Sequence, residues 1–159
     1  MVEARDPATP SDGTLPGRVL AVDWGEARIG LAVSDPTRTL ASPYATLAEK
    51  DKGLQIKRVV ALLVQLEIRE VIVGMPLQMD GGATVTTRPA MKYAEKLASL
   101  VGVPVTLVDE RLTSVTALAR LGEAGWKSTR EDKGRIDSAA AAVMLQDWLD
   151  ARGAGRGEP

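Results

Sequence analysis

The sequence predicts an α/β protein: a mixed central sheet that starts as a β-meander and carries helices on both faces. Three observations point there. Two apolar runs, "RVLAVD" (18–23) and "RIGLAVSD" (28–35), are separated only by "WGEA", which is hairpin spacing. Further on, segments with apolar residues every three or four positions alternate with short apolar runs, the order of helices and strands in an α/β chain. The run "REVIVGMP" (69–76) is apolar without alternation, as a strand covered on both faces requires.

The elements follow in order. Residues 18–23 and 28–35 form the first hairpin, and "SPYATL" (42–47) has the composition of a third short strand. In "DKGLQIKRVVALLVQLE" (51–67), Leu54, Val59, Leu62, Leu63 and Leu66 recur at helical spacing. The strand at 69–76 is stopped by Gly74 and Pro76. Pro89 suits the first turn of a helix over 87–101. "VPVTLVDERL" (103–112) reads as a strand and "SVTALARLGEAG" (114–125) as a helix ended by glycine. A basic loop, "WKSTREDKGR" (126–135), then leads into a last helix over "DSAAAAVMLQDWLD" (137–150). One domain is expected over 18–150. Residues 1–17 read as a polar, disordered leader and 151–159 as a flexible Gly-rich tail.

Composition narrows the chemistry. The chain has 159 residues, 45% of them apolar and 26% charged, a globular balance. It has no Phe, Cys or His. The core must therefore be aliphatic. Disulfides, thiol catalysis, zinc sites built on Cys or His and a histidine general base are all excluded. The formal net charge is −1, so nucleic-acid binding draws no support from net charge and would need a local patch. No apolar run approaches membrane-spanning length. With no apolar core of a signal peptide in the first 17 residues, a cytoplasmic protein is expected.

Chemistry then falls to the acids. Asp23 closes the run of Val19, Leu20, Ala21 and Val22. It can be an ordinary turn aspartate bonding the amides of Gly25 or Glu26. In open α/β sheets, however, sites form beyond the carboxyl ends of the strands, where Asp23 and the pair Asp109–Glu110 both fall. Neighbours on a strand face opposite sides. One of Asp109 and Glu110 therefore faces the same helix layer as Asp23, and the spacing does not say which. Asp137 can cap a helix or offset its dipole. It also begins a stripe continued by Ala141, Met144 or Leu145, and Trp148, the face that packs on the sheet. Carboxylates that converge repel, and a proton or a divalent cation resolves the repulsion. Oxygen-only ligands suit Mg²⁺ or Mn²⁺, which can support phosphodiester cleavage. Lys133 and Arg135 in the basic loop could track a phosphate backbone, with Arg28, Arg38, Arg88 and Lys92 as further cations. Trp24, Tyr44 and Trp126 could stack on a splayed base, though packing explains them equally well.

Four segments, "VDWGEARIGLAVSD" (22–35), "VIVGMPLQMDGG" (71–82), "LVDERLTS" (107–114) and "KGRIDSAAAAVMLQDWLD" (133–150), together resemble the YqgF/RuvX family in order and spacing from residue 18 to 150. Members are described as pre-16S ribosomal RNA nucleases and Holliday junction resolvases with a ribonuclease H-like fold. The resemblance implies a divalent-metal endonuclease acting on structured nucleic acid, with Asp23, Glu110 and Asp137 as catalytic and metal-binding acids. It selects Glu110 over Asp109. It also implies phosphate-binding roles for Arg28, Arg111 and Lys133. Maturation of the 5′ end of pre-16S ribosomal RNA is the favoured activity. Junction cleavage, the alternative, would want a homodimer with two sites. Another alternative is a binding factor that uses the same fold without cutting. A phosphotransferase related to actin-like ATPases would need two such domains, and one domain argues against it.

Overall fold

The computed structural model describes residues 16–75, 87–109 and 130–156. Within them, one sheet has the strand order β3-β2-β1-β4-β5. The strands are β1 (Arg18–Asp23), β2 (Ile29–Ser34), β3 (Ala41–Leu47), β4 (Ile68–Met75) and β5 (Val105–Asp109). The described helices are α1 (Lys52–Gln65), α2 (Thr87–Leu100) and α3 (Arg130–Arg156). β1, β2 and β3 form the antiparallel meander, while β4 and β5 join β1 in parallel. The expected helix at 114–125 and the "MDGG" turn lie outside the described residues.

Alternation along β1 separates two cores. Leu20 and Val22 pack with Ile56, Val59 and Leu63 of α1 and Ala94 and Leu97 of α2. Val19 and Ala21 face the other way, onto Ala141, Met144, Leu145 and Leu149 of α3. All of these residues are buried. Both faces of β1 are thus dry, which is why its sequence carries no polar alternation. Burial of each large aliphatic side chain is worth roughly 1.5–3 kcal/mol, so the sheet's position between its helix layers is strongly determined.

Caps and ion pairs fix the ends. Asp51 caps α1, its carboxylate accepting from the Leu54 amide at 3.1 Å. At the amino end of β1, Arg38 donates to Glu70 at 2.8 Å and to the Gly17 carbonyl at 2.8 Å. Both side chains of this pair are almost fully buried. Arg38, a sequence candidate for phosphate contact, is therefore a structural clasp at the end of the sheet away from Asp23.

The last helix differs from expectation. It begins at Arg130, not Asp137, and it continues through Arg156. Lys133 and Arg135 consequently lie on α3 and not in a loop, and residues 151–156 of the expected tail are helical. Gly134 read as a break, but one glycine inside a helix costs only about 1 kcal/mol relative to alanine. Arg, Glu, Lys and the alanine run around it favour continuation. The extension also removes the capping role for Asp137, which sits seven positions into the helix.

Candidate active site

Strand register builds the site. Asp23 ends β1 and pairs with Gly30 of β2 on one side and Gly74 of β4 on the other. Gly74 in turn pairs with Val108 of β5. Asp23 has the parity of Val19 and Ala21, whose side chains meet α3, and Val108 packs against the same cluster. Asp23, Gly30, Gly74 and Val108 therefore form one row on the α3 face, at the carboxyl end of the parallel strands.

Gly30 makes room in that row. A Cβ at Gly30 would collide with the carbonyl of Asp137 and would stand 3.0 Å from the Ser138 amide nitrogen. The backbone of α3 thus lies directly on β2, one strand spacing (about 5 Å) from β1. Glycine is required here by close approach. The contact brings Asp137, which is 114 positions away in sequence, beside Asp23.

Arg28 joins them from the turn before β2. Its Nε donates to the Asp137 carboxylate, and the two side chains are 33% and 25% exposed. Among the described residues, its Nη groups have no other partner. A cation and two acids thus share the carboxyl end of the sheet. The turn that presents Arg28 depends on Gly25, because a Cβ there would stand 2.7 Å from the Arg28 carbonyl oxygen.

The remaining sequence candidates divide three ways. Glu110, Arg111, Trp126 and the loop at 126–129 lie outside the described residues, and the side chains of Lys133 and Arg135 are likewise not described. Asp109 ends β5 opposite Met75 and shares the parity of Val105, which packs on the α1–α2 side. Trp24 turns to that same side, packing against the core there. Tyr44 is exposed on β3. Among the described residues, no three metal-ligating side chains form a cluster, and no helix is long and apolar enough to cross a membrane. Sequence reasoning missed the Arg28–Asp137 pair. The available signal was the alternation that places Gly30 opposite Asp23 in a hairpin.

A meander followed by parallel strands, with an acid ending the first strand and a second acid brought over it by the last helix, defines a ribonuclease H-like protein. The profile of the RuvX family, described as Holliday junction resolvase, matches residues 17–151. The chain belongs to this YqgF/RuvX family. It is 44% identical over 135 residues to a protein of Anaeromyxobacter sp. (strain Fw109-5) named "Putative pre-16S rRNA nuclease", covering 85% of this chain and 98% of that one. It is 42% identical over 147 residues to a Mycobacterium tuberculosis (strain ATCC 25618 / H37Rv) protein of the same name, covering 92% and 86% respectively. Among solved structures, RuvC of T. thermophilus in complex with a Holliday junction substrate superposes with a TM-score of 0.57 at 18% identity, covering 86% of this chain and 96% of that one. The Fowlpox virus resolvase gives 0.54 at 11% identity, covering 85% and 98%. At such identities the likeness concerns the fold.

Proposed function

We propose that this protein is a divalent-metal-dependent endonuclease of structured nucleic acid, acting on the 5′ end of pre-16S ribosomal RNA. The observation that carries the reading is the seating of Asp137 on Gly30, beside Asp23. A merely structural aspartate needs no such approach. Its ordinary role at a helix start is also absent, because α3 begins well before it.

The donor set fits a hard cation. Asp23 and Asp137 offer carboxylate oxygens, and the chain has no Cys or His. Glu110 supplies the third acid in this reading. Val108 of β5 faces α3, the side on which Asp23 stands, and the choice of Glu110 rests on the family resemblance. Asp23, Glu110 and Asp137 would hold Mg²⁺ or Mn²⁺, which when bound lowers the pKa of water and offsets charge on the departing oxygen. Arg28 balances the acids and offers its Nη donors to a substrate phosphate. Lys133 and Arg135, on the first turns of α3, and Arg111 extend the cationic path along the backbone. The names of the curated relatives favour ribosomal RNA, and the family's description favours a four-way junction.

The test uses chelator-stripped protein with two probes, a pre-16S RNA fragment carrying its 5′ extension and a four-way DNA junction. The expected result is no cutting without metal and cutting of the RNA when Mg²⁺ or Mn²⁺ is restored. Cutting of the junction alone transfers the assignment to resolution. Tight binding without cutting of either probe makes the protein a non-catalytic binding factor.

A further inference from the structure

A concavity opens on the other side of the sheet from Asp137. Its volume is about 380 Å³, within the range of small-molecule sites (roughly 300–1,000 Å³). Trp24, Ile56 and Tyr93 form its apolar walls, and Lys52, Lys92 and Lys96 stand around it. Among the described residues lining it, none is acidic. Lys92 and Lys96 are exposed one turn apart on α2, while Lys52 donates to the Glu26 carbonyl at 2.6 Å and ties α1 to the hairpin turn. Burial pushes the Tyr93 phenol well above its ordinary pKa, so the ring stays neutral. Its hydroxyl has no hydrogen-bond partner among the described residues.

We propose that this concavity receives an unpaired nucleobase next to the scissile phosphate, stacked on Trp24 with its phosphates held by the lysines. The inference rests on the nuclease reading for its position and adds a requirement for a single-stranded nucleotide in the substrate. Position follows from the chain itself. Trp24 is the residue after Asp23, and its amide is held to the Gly74 carbonyl at 3.4 Å. Alternation sends Asp23 toward α3 and Trp24 toward α1 and α2. A strand whose phosphate lies at Asp23 crosses the end of the sheet there, bringing a neighbouring base to the indole. The chemistry agrees: indole and phenol rings offer π-faces, and a rim that carries three lysines complements a phosphodiester. An apolar peptide would find the walls congenial but would have no use for three ammonium groups.

The experiment measures affinity for an RNA hairpin with a short single-stranded overhang against the same hairpin made blunt. Both are labelled with fluorescein and held in Ca²⁺. The parent is expected to bind the overhang about tenfold more tightly, in line with stacking worth roughly 1–3 kcal/mol per base. One abasic nucleotide in the overhang should abolish that advantage, as should Trp24→Leu, which keeps an apolar side chain but no π-face. Replacing Lys92 and Lys96 with alanine should flatten the plot of log K against log salt by about 1.4, from roughly 0.7 per phosphate contact on a single strand. An overhang bound no better than the blunt end, or an advantage that survives the abasic substitution, overturns the pocket. The abasic probe needs no variant, so a Trp24→Leu protein that fails to fold leaves the decision intact. Cleavage in Mn²⁺ is scored separately. A Trp24-dependent advantage without cutting keeps the pocket and removes the nuclease, and cutting without the advantage does the reverse.

Discussion

Gly30 on β2 lies directly beneath the backbone of Asp137 on α3, with no room for a Cβ between them. The same glycine is the strand partner of Asp23. One small residue therefore sets the separation of two acids that belong to opposite ends of the sequence. Stability and catalysis are coupled at this point, because whatever lifts α3 from β2 also moves Asp137.

Gly30→Ala tests that coupling. The added methyl meets backbone atoms, which yield less easily than a flexible side chain. A loss of about 1–3 kcal/mol is expected, as for overpacking elsewhere, read as a lower denaturant midpoint. Cleavage should fall further than the unfolded fraction explains when it is assayed well below the transition. Parental cutting by a fully folded Gly30→Ala protein would show that α3 need not sit on β2.

Arg28 holds the Asp137 carboxylate that the proposed metal would also use. Arg28→Ala should therefore lower the Mn²⁺ concentration needed for half-maximal activity while raising KM, because a phosphate donor is lost with the competitor. Stability should change by no more than about 1 kcal/mol, since both partners are partly exposed and solvent screens the pair. Titrating metal at saturating substrate separates the two effects. A rise in the metal requirement would mean that Arg28 orders Asp137 for the ion and does not compete with it.

Asp35 gives a pH signature remote from the site. Burial opposes its ionisation. The Leu40 amide, the Thr37 hydroxyl and the amides of Thr39 and Thr37 outweigh that effect and hold its pKa at about 2. The ordinary value is about 3.9. A lowered folded-state pKa stabilises the protein above the unfolded value, and that contribution disappears as pH falls through the folded one. Asp35→Asn should thus be less stable than the parent above about pH 4, by about 1 kcal/mol once solvent screening is allowed for. The gap should close between about pH 4 and 2. Denaturant midpoints of the two proteins across that window make the comparison, and a constant gap would assign the difference to lost geometry alone.

Much of the fold was legible because its strands are dry on both faces or alternate cleanly. β1 falls at 18–23 as the apolar run indicates, and β2, β4, α1 and α2 differ from expectation by only one or two residues at their ends. The start of α3 was not legible. Gly134 and the mixed charges around it carry no helical stripe, and their helicity comes from propensity and from continuity with the alanine run, of which Ala141 is buried. Asp23 and Asp137 were identifiable because each ends or begins an apolar pattern. Their proximity was visible only through Gly30, whose need for a missing side chain depends on what packs above it. The direction of Trp24 follows the same strand alternation, yet the lysines around it come from two helices whose faces converge only in three dimensions. Arg38 shows the opposite failure: as an isolated arginine it resembled a phosphate ligand, and its partner Glu70 lies two strands away in the sheet order.

The assignment of the acids is tested most directly by cleavage and binding measured side by side in Asp23→Asn, Glu110→Gln, Asp137→Asn and Asp109→Asn. Each change keeps shape and hydrogen-bonding capacity but removes charge. The first three should bind substrate and lose cutting by a factor of ~10² or more, as expected when a metal-organising group is removed. Asp109→Asn should cut nearly as well as the parent, since Asp109 has the parity of Val105 and the α1–α2 side. An inactive Asp109→Asn beside an active Glu110→Gln, or four variants that all cut like the parent, would contradict the assignment.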